Sequence, residues 1–166
     1  MKRLLKMLFF VVLIAFVLIQ FYPKSNNNIS TTSSGNEIEK IHAVPNEVMN
    51  ILKTSCYDCH SNNTIYPWYA KFQPVSMWLS NHVEEGKDEL NFSEFGSYSL
   101  RRQYHKLKEM DEQIEEGEMP LESYTLIHKN ASLKKDQKEL ITGWVRALRD
   151  SFKTNYPEDS LKRKSK

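Results

Sequence analysis

At 166 residues the chain is long enough for one domain with appendages. Its composition, 40% hydrophobic and 27% charged, is that of a globular protein, and a formal net charge of +2 is too small to argue for a nucleic-acid partner. Glycine is scarce while Glu, Lys and Leu are common, which suits helices better than a sheet with tight turns. Much of the basic excess lies at the two ends, in Lys2, Arg3 and Lys6 and in Lys162, Arg163, Lys164 and Lys166.

After those first cations, Met7 to Tyr22 carries no charge for 16 residues. Leu4 and Leu5 extend the run if the Lys6 ammonium reaches back to the headgroups, which makes it just long enough to span a bilayer. It is apolar on all sides, unlike one face of a core helix. Its end, Gln20-Phe21-Tyr22-Pro23, lacks the small residues of a cleavage site, and no cysteine follows to take a lipid. Residues 1–22 are therefore expected to form an uncleaved, single-pass transmembrane anchor. Cations before the span put the N-terminus in the cytoplasm and the remainder on the outer, periplasmic side. Residues 23–39 begin PKSNNNISTTSSG, polar and low in complexity, and read as a flexible linker.

Residues 40–153 carry the helical patterns of a domain. Pro45 to Ser55 predicts a helix whose stripe of Val48, Met49, Ile51 and Leu52 runs into Cys56. Pro74 opens a second, with Val75, Trp78, Leu79 and Val83 on one side and Gly86 near its end. Asn91-Phe92-Ser93 reads as a loop. Ser99 to Glu116 predicts a long charged helix with Leu100, Tyr104, Leu107, Met110 and Ile114 on its buried face, stopped by Gly117. Ser132 is the expected N-cap of a last helix, Leu133 to Phe152, with Leu140, Ile141, Trp144, Val145, Leu148 and Phe152 as its stripe. Gly143 inside it is read as a point of close approach. Residues 154–166 are expected to be a basic, disordered tail. No repeat and no sustained alternating strand pattern appears, so the fold class is all-α.

The two cysteines of the chain fall in one stretch, Cys56-Tyr57-Asp58-Cys59-His60. This C-x-x-C-H spacing is that of covalent haem attachment. Two thiols three positions apart can add across the two vinyl groups of one porphyrin, and the next residue carries an imidazole under the ring. A thioredoxin-like redox pair would need a strand before it and a βαβ pattern around it. A structural zinc site would need a second pair of ligands, and His42, His82, His105 and His128 form none at short spacing. A disulfide here would close a very small loop.

His60 fills one axial position of the iron. Met49, Met77, Met110, Met119 and the other histidines are candidates for the second. Met119 lies just past a glycine-stopped helix and before Pro120, which biases it to extended backbone in a presenting loop. His82 and an open site remain as alternatives. Tyr66-Pro67-Trp68-Tyr69 is an aromatic cluster suited to a porphyrin face, with Tyr66 and Trp68 as expected haem contacts.

Ser55 to Asn62, Tyr66 to Tyr69, Pro74-Val75-Ser76, His82-Val83, Leu90 to Ser93, Gly117-Glu118-Met119-Pro120 and His128 together resemble the haem-binding-domain family of small bacterial membrane-anchored c-type cytochrome-like proteins. The resemblance spans roughly residues 40–150. Met77 and Phe95 stand where that pattern often has Trp, and Lys134-Lys135 replace a more acidic helix start. The resemblance implies haem binding without defining a reaction. The expectation is a small cytochrome-c-like domain around one covalent haem c, ligated by His60 and Met119, that passes electrons to a redox partner protein. The alternative is a haem peroxidase or ligand sensor with an open distal site served by His82 or His105. A thiol-based metal module is a third class. Because long apolar runs are few and Tyr66, Trp68, Tyr69, Trp78 and Trp144 have no obvious mutual partners, folding is expected to depend on the haem.

Overall fold

The structure, a computed structural model, describes residues 1–23 and 27–162. Lys24 to Asn26 of the expected linker and Arg163 to Lys166 of the basic tail lie outside the described residues. Among those described, the chain is all-helical, and its only extended pairing is an isolated antiparallel bridge between Ile29 and Asn63.

Helix α1 runs Lys2–Ile19, with every side chain along it unburied. Among the described residues no helix is long and apolar enough to cross a membrane. Three of the 18 residues of α1 are the cations Lys2, Arg3 and Lys6. The uncharged run was expected to continue to Tyr22, but the helix stops at Ile19 because Gln20 turns into the domain. Gln20 Oε1 accepts from the Gln73 amide and its Nε2 donates to the Gln73 carbonyl, both at 3.0 Å.

Residues 27–37 carry no regular helix, in keeping with their composition, but they are tied to the domain. The Asn28 side chain donates to Ser61 O at 2.8 Å and Thr64 Oγ1 at 2.9 Å, and its Oδ1 accepts from Lys87 at 2.6 Å. Short α2 (Ile38–Ile41) then enters the core through Ile38. Helix α3 (Asn46–Ser55) follows Pro45 and buries Val48, Ile51 and Leu52 of the expected face, while Met49 is only half-buried. A single turn, α4 (Tyr57–His60), holds the cysteine motif.

Helix α5 (Val75–Glu89) starts after Pro74 and runs past Gly86, which does not end it. A 3-10 segment at Phe92–Ser97 is capped by the Asn91 side chain and seals Phe92 and Phe95 in the core. In α6 (Leu100–Glu116) Ser99 caps the start, and Gly117 ends it at φ +80°, a left-handed backbone that glycine adopts without a Cβ penalty. The sequence pattern did not mark α7 (Glu122–Ile127), which buries none of its side chains.

Helix α8 (Lys135–Asn155) begins later than expected. Ser132 is not its cap; the Gln137 side chain instead turns back to accept the Lys134 amide at 2.9 Å. Ile141, Val145 and Phe152 are buried, whereas Leu140 is exposed. Nothing lies within 4 Å of a Cβ built on Gly143, so no element approaches there. Order also continues past Tyr156-Pro157. Helix α9 (Glu158–Leu161) returns Leu161 to the core, which gives this part of the expected disordered tail an apolar anchor.

The core joins α2, α3, α6, α8 and α9 with Phe92 and Phe95. Helix α4, which carries the cysteine motif, stands at its side with α5 packed on it, and α7 lies outside the core as well.

Candidate haem site

The helical turn α4 explains how the motif is presented. The Cys56 carbonyl accepts from the amides of Cys59 (3.2 Å) and His60 (2.9 Å), so positions three and four along share the face of Cys56. Both thiols are free. Cys56 and His60 line a cavity of about 320 Å³, and Met119 and Pro120 line it too. Its walls include Leu90, Phe92, Met110 and Ile114. Cys59 lines a second cavity of about 360 Å³, whose walls include Val75, Trp78, Leu79 and Val83 from the expected face of α5. Leu121 closes this second space, so the loop carrying Met119 borders both.

His60 is held in one orientation. Its Nδ1 donates to Gly86 O at 2.8 Å and Leu90 O at 2.9 Å. Both partners are carbonyls, so Nδ1 carries the proton and Nε2 keeps its lone pair, the arrangement a metal-ligating histidine needs. Phe92 meets the ring edge-on with centroids 6.3 Å apart. Burial lowers the pKa of His60 below the ordinary imidazole value, with the two carbonyl bonds opposing, and favours the neutral ligand form.

That orientation needs a close approach of α5. A Cβ on Gly86 would stand 2.7 Å from Cys59 O and 3.1 Å from Cys59 Cβ. Glycine at 86 thus lets the helix touch the motif and deliver its carbonyl to His60.

Burial pushes the Cys56 thiol up to about 12, with the Cys59 charge adding to it. Cys59 rises to about 11, again through burial first and then the Asp58 carboxylate. A redox-active pair depends on the opposite shift, toward thiolate. Among the described residues no group of three or more His, Cys, Asp or Glu side chains could hold a metal ion, so the zinc reading finds no ligand set there.

The segments around the motif bind one another. Asn62 accepts from Asn91 Nδ2 at 2.8 Å and donates to Glu94 at 2.9 Å, which zips the turn after His60 to the turn before Phe92. Asp58 accepts from the Ile65 amide (3.0 Å) and the Tyr124 hydroxyl (2.7 Å), so it ties α4 to α7. The Tyr69 hydroxyl lies 2.8 Å from His128 Nε2, and Tyr124 stacks on the His128 ring at 4.4 Å. Gly86, Leu90, Asp58 and Tyr124 act here through backbone carbonyls or pairings between distant segments, which neither spacing nor periodicity signals.

Met119 lies in the turn that follows α6. Gly117 turns the chain, and the amides of Glu118 and Met119 both donate to Gln113 O at 3.0 and 3.1 Å. The other expected haem contacts fare differently. Tyr66 uses its hydroxyl to accept the Asn28 amide at 2.9 Å, and Trp68 is 74% exposed against Tyr69 and Phe72; neither lines either cavity. The aromatic lining comes instead from Phe92, Tyr69, Trp78 and Tyr124. His82 lines the second cavity and donates from Nδ1 to Trp78 O at 3.0 Å. His105 sits on the solvent side of α6, paired with Glu109 at 3.1 Å.

These residues fit a haem. Two free thiols flank a fixed imidazole whose Nε2 is available, a thioether sulfur borders the same cavity, and the walls are largely apolar. Searches among curated proteins and among solved structures found no match. The family described as haem-binding domain matches residues 14–147, from within α1 to within α8. The chain belongs to the haem-binding domain family.

Proposed function

We propose that this protein is a membrane-anchored c-type cytochrome that transfers electrons. Cys56 and Cys59 would hold one haem c through thioethers, and His60 Nε2 and Met119 Sδ would be the ligands to its iron. The observation that carries the reading is the shared cavity of Cys56, His60 and Met119, with His60 Nδ1 locked onto two carbonyls. When bound, the haem supplies a one-electron couple, and methionine as the second ligand favours the reduced state relative to two histidines. The chain's own residues orient the imidazole, keep it neutral and surround the site with apolar walls. A redox partner protein gives or takes the electron.

Anchoring is supported by α1. Its apolar side chains are exposed from Leu4 to Leu18, a surface that water does not tolerate without a partner. Residues 4–19 of α1, with Lys6 snorkelling, span about 24 Å against a hydrocarbon core of about 30 Å, a mismatch that local thinning of the bilayer has to absorb. Lys2, Arg3 and Lys6 favour a cytoplasmic N-terminus, so the haem domain faces the periplasm of a bacterial cell.

Haem staining after denaturing electrophoresis tests the attachment, because only covalent haem stays with the chain. Staining of the parent and none in Cys56→Ala/Cys59→Ala is expected. An unstained parent purified from cells competent in haem attachment would overturn the reading.

A further inference from the structure

We propose that the haem domain lies against the bilayer on the face formed by Trp68, Phe72, Met77 and Trp78. The inference rests on the anchoring reading of α1 and adds the orientation of the domain on its membrane.

The C-terminal end of α1 is bound to the N-terminal end of α5. Gln20 grips both the amide and the carbonyl of Gln73 at 3.0 Å, and Gln73 is 1% exposed. The apolar helix is therefore clamped to a buried backbone point beside this face. Phe72 precedes Gln73, Trp68 packs on Phe72 with centroids 6.3 Å apart, and the Met77 amide donates to the Gln73 side chain at 3.2 Å. Around the clamp, Trp68 is 74% exposed, Phe72 47%, Trp78 47%, and Phe21 at the helix exit 81%. Large amphipathic rings at the end of an apolar helix are what the headgroup region holds best.

Charge points the same way. Between Asp58 and Glu84 the chain carries no carboxylate, and Lys71 is its one lysine or arginine. Helix α5 is divided accordingly. Val75 to Val83 carries no Asp, Glu, Lys or Arg, whereas Glu84, Glu85, Asp88 and Glu89, with Lys87 as the one cation among them, occupy the other end. A helix with its acidic half away from an anionic surface and its apolar half on the α1 side has a preferred orientation there. Trp68, which neither cavity uses, thereby acquires a role, and the second cavity, lined by Val75, Trp78 and Leu79, lies on the membrane side.

The test is photocrosslinking of the full-length holoprotein in phosphatidylcholine/phosphatidylglycerol vesicles. Trp68→p-benzoylphenylalanine and Phe72→p-benzoylphenylalanine are compared with Lys153→p-benzoylphenylalanine on α8, which packs on α3, α6 and α9. All three replaced side chains are exposed, and haem staining with the optical spectrum checks folding. Lipid adducts at 68 and 72 and none at 153 are expected. Vesicle flotation without adducts at 68 and 72 overturns the orientation and leaves anchoring standing. Adducts between two copies at 68 overturn it in favour of a dimer face. Failure to float overturns the anchoring and this inference together.

Discussion

Replacing Gly86 by alanine separates close packing from helix propensity at one atom. The added Cβ meets Cys59 O at 2.7 Å and Cys59 Cβ at 3.1 Å, so backbone must shift. Overpacking of this kind costs about 1–3 kcal/mol, and alanine returns about 0.5–1 kcal/mol of helix propensity. The difference is a loss of up to about 2.5 kcal/mol, which for a domain near this size lowers Tm by up to roughly 10 °C. The same movement draws the Gly86 carbonyl from His60 Nδ1, now 2.8 Å away, so the optical spectrum of the iron should change with stability. Gly143→Ala is the matched control, because nothing lies within 4 Å of its Cβ in the interior of α8. It should gain about 0.5–1 kcal/mol. Thermal melts of both holoproteins decide the matter. A Gly86→Ala protein as stable as Gly143→Ala, with an unaltered spectrum, would refute the close-approach argument.

Met119→Ala should abolish the weak methionine–iron charge-transfer band of the oxidised protein and lower the potential by a fraction of the ~0.8 V range that axial ligands command. A band absent from the parent and unaffected by the substitution would sink the ligand assignment. Gly117→Ala meets only the tip of Lys138 at 3.8 Å, so its cost is that of φ +80° for an L-residue, about 1–2 kcal/mol. Denaturant melts should show that loss, and the methionine band should weaken as the loop shifts; an unchanged melt would contradict the reading.

The sequence carried the site further than it carried the lining. C-x-x-C-H and the glycine-stopped Met119 loop are local signals, and the structure brings Cys56, His60 and Met119 to one cavity. The buried faces of α3 and α6 follow from periodicity, whereas of the stripe read on α5 only Val83 is buried and the others line the second cavity. Trp68 and Tyr66 line neither cavity; an aromatic cluster is equally suited to a cavity and to a surface, and periodicity does not choose between them. Helix α7 escaped because it buries nothing, and α9 because four residues set no period. Gly86 was read only as lying near the end of its helix, as it does; that it marks a contact is visible only once Cys59 is placed against it.

The expectation of haem-dependent folding is altered by where the core lies. Trp144 was counted among aromatics without partners, yet its Nε1 donates to Ala43 O at 3.0 Å and its ring packs on the core; Tyr57 stacks on Phe92 at 5.2 Å. Helices α2, α3, α6, α8 and α9 therefore close an apolar cluster that meets the first cavity only along one edge, at Phe92, Met110 and Ile114. Helix α5 adds only Val83 to the buried hydrophobics, and α7 adds none, so both helices face the space the porphyrin would fill. Loss of haem should then act unevenly. In haem-free Cys56→Ala/Cys59→Ala protein, amides of α3, α6 and α8 should stay protected from hydrogen exchange, while those of α5 and α7 exchange roughly 100-fold faster or more, a difference of about 2.7 kcal/mol in opening free energy. Even protection across all five helices would show that the haem is a passenger. Even loss across them would show that the apolar cluster cannot hold without it.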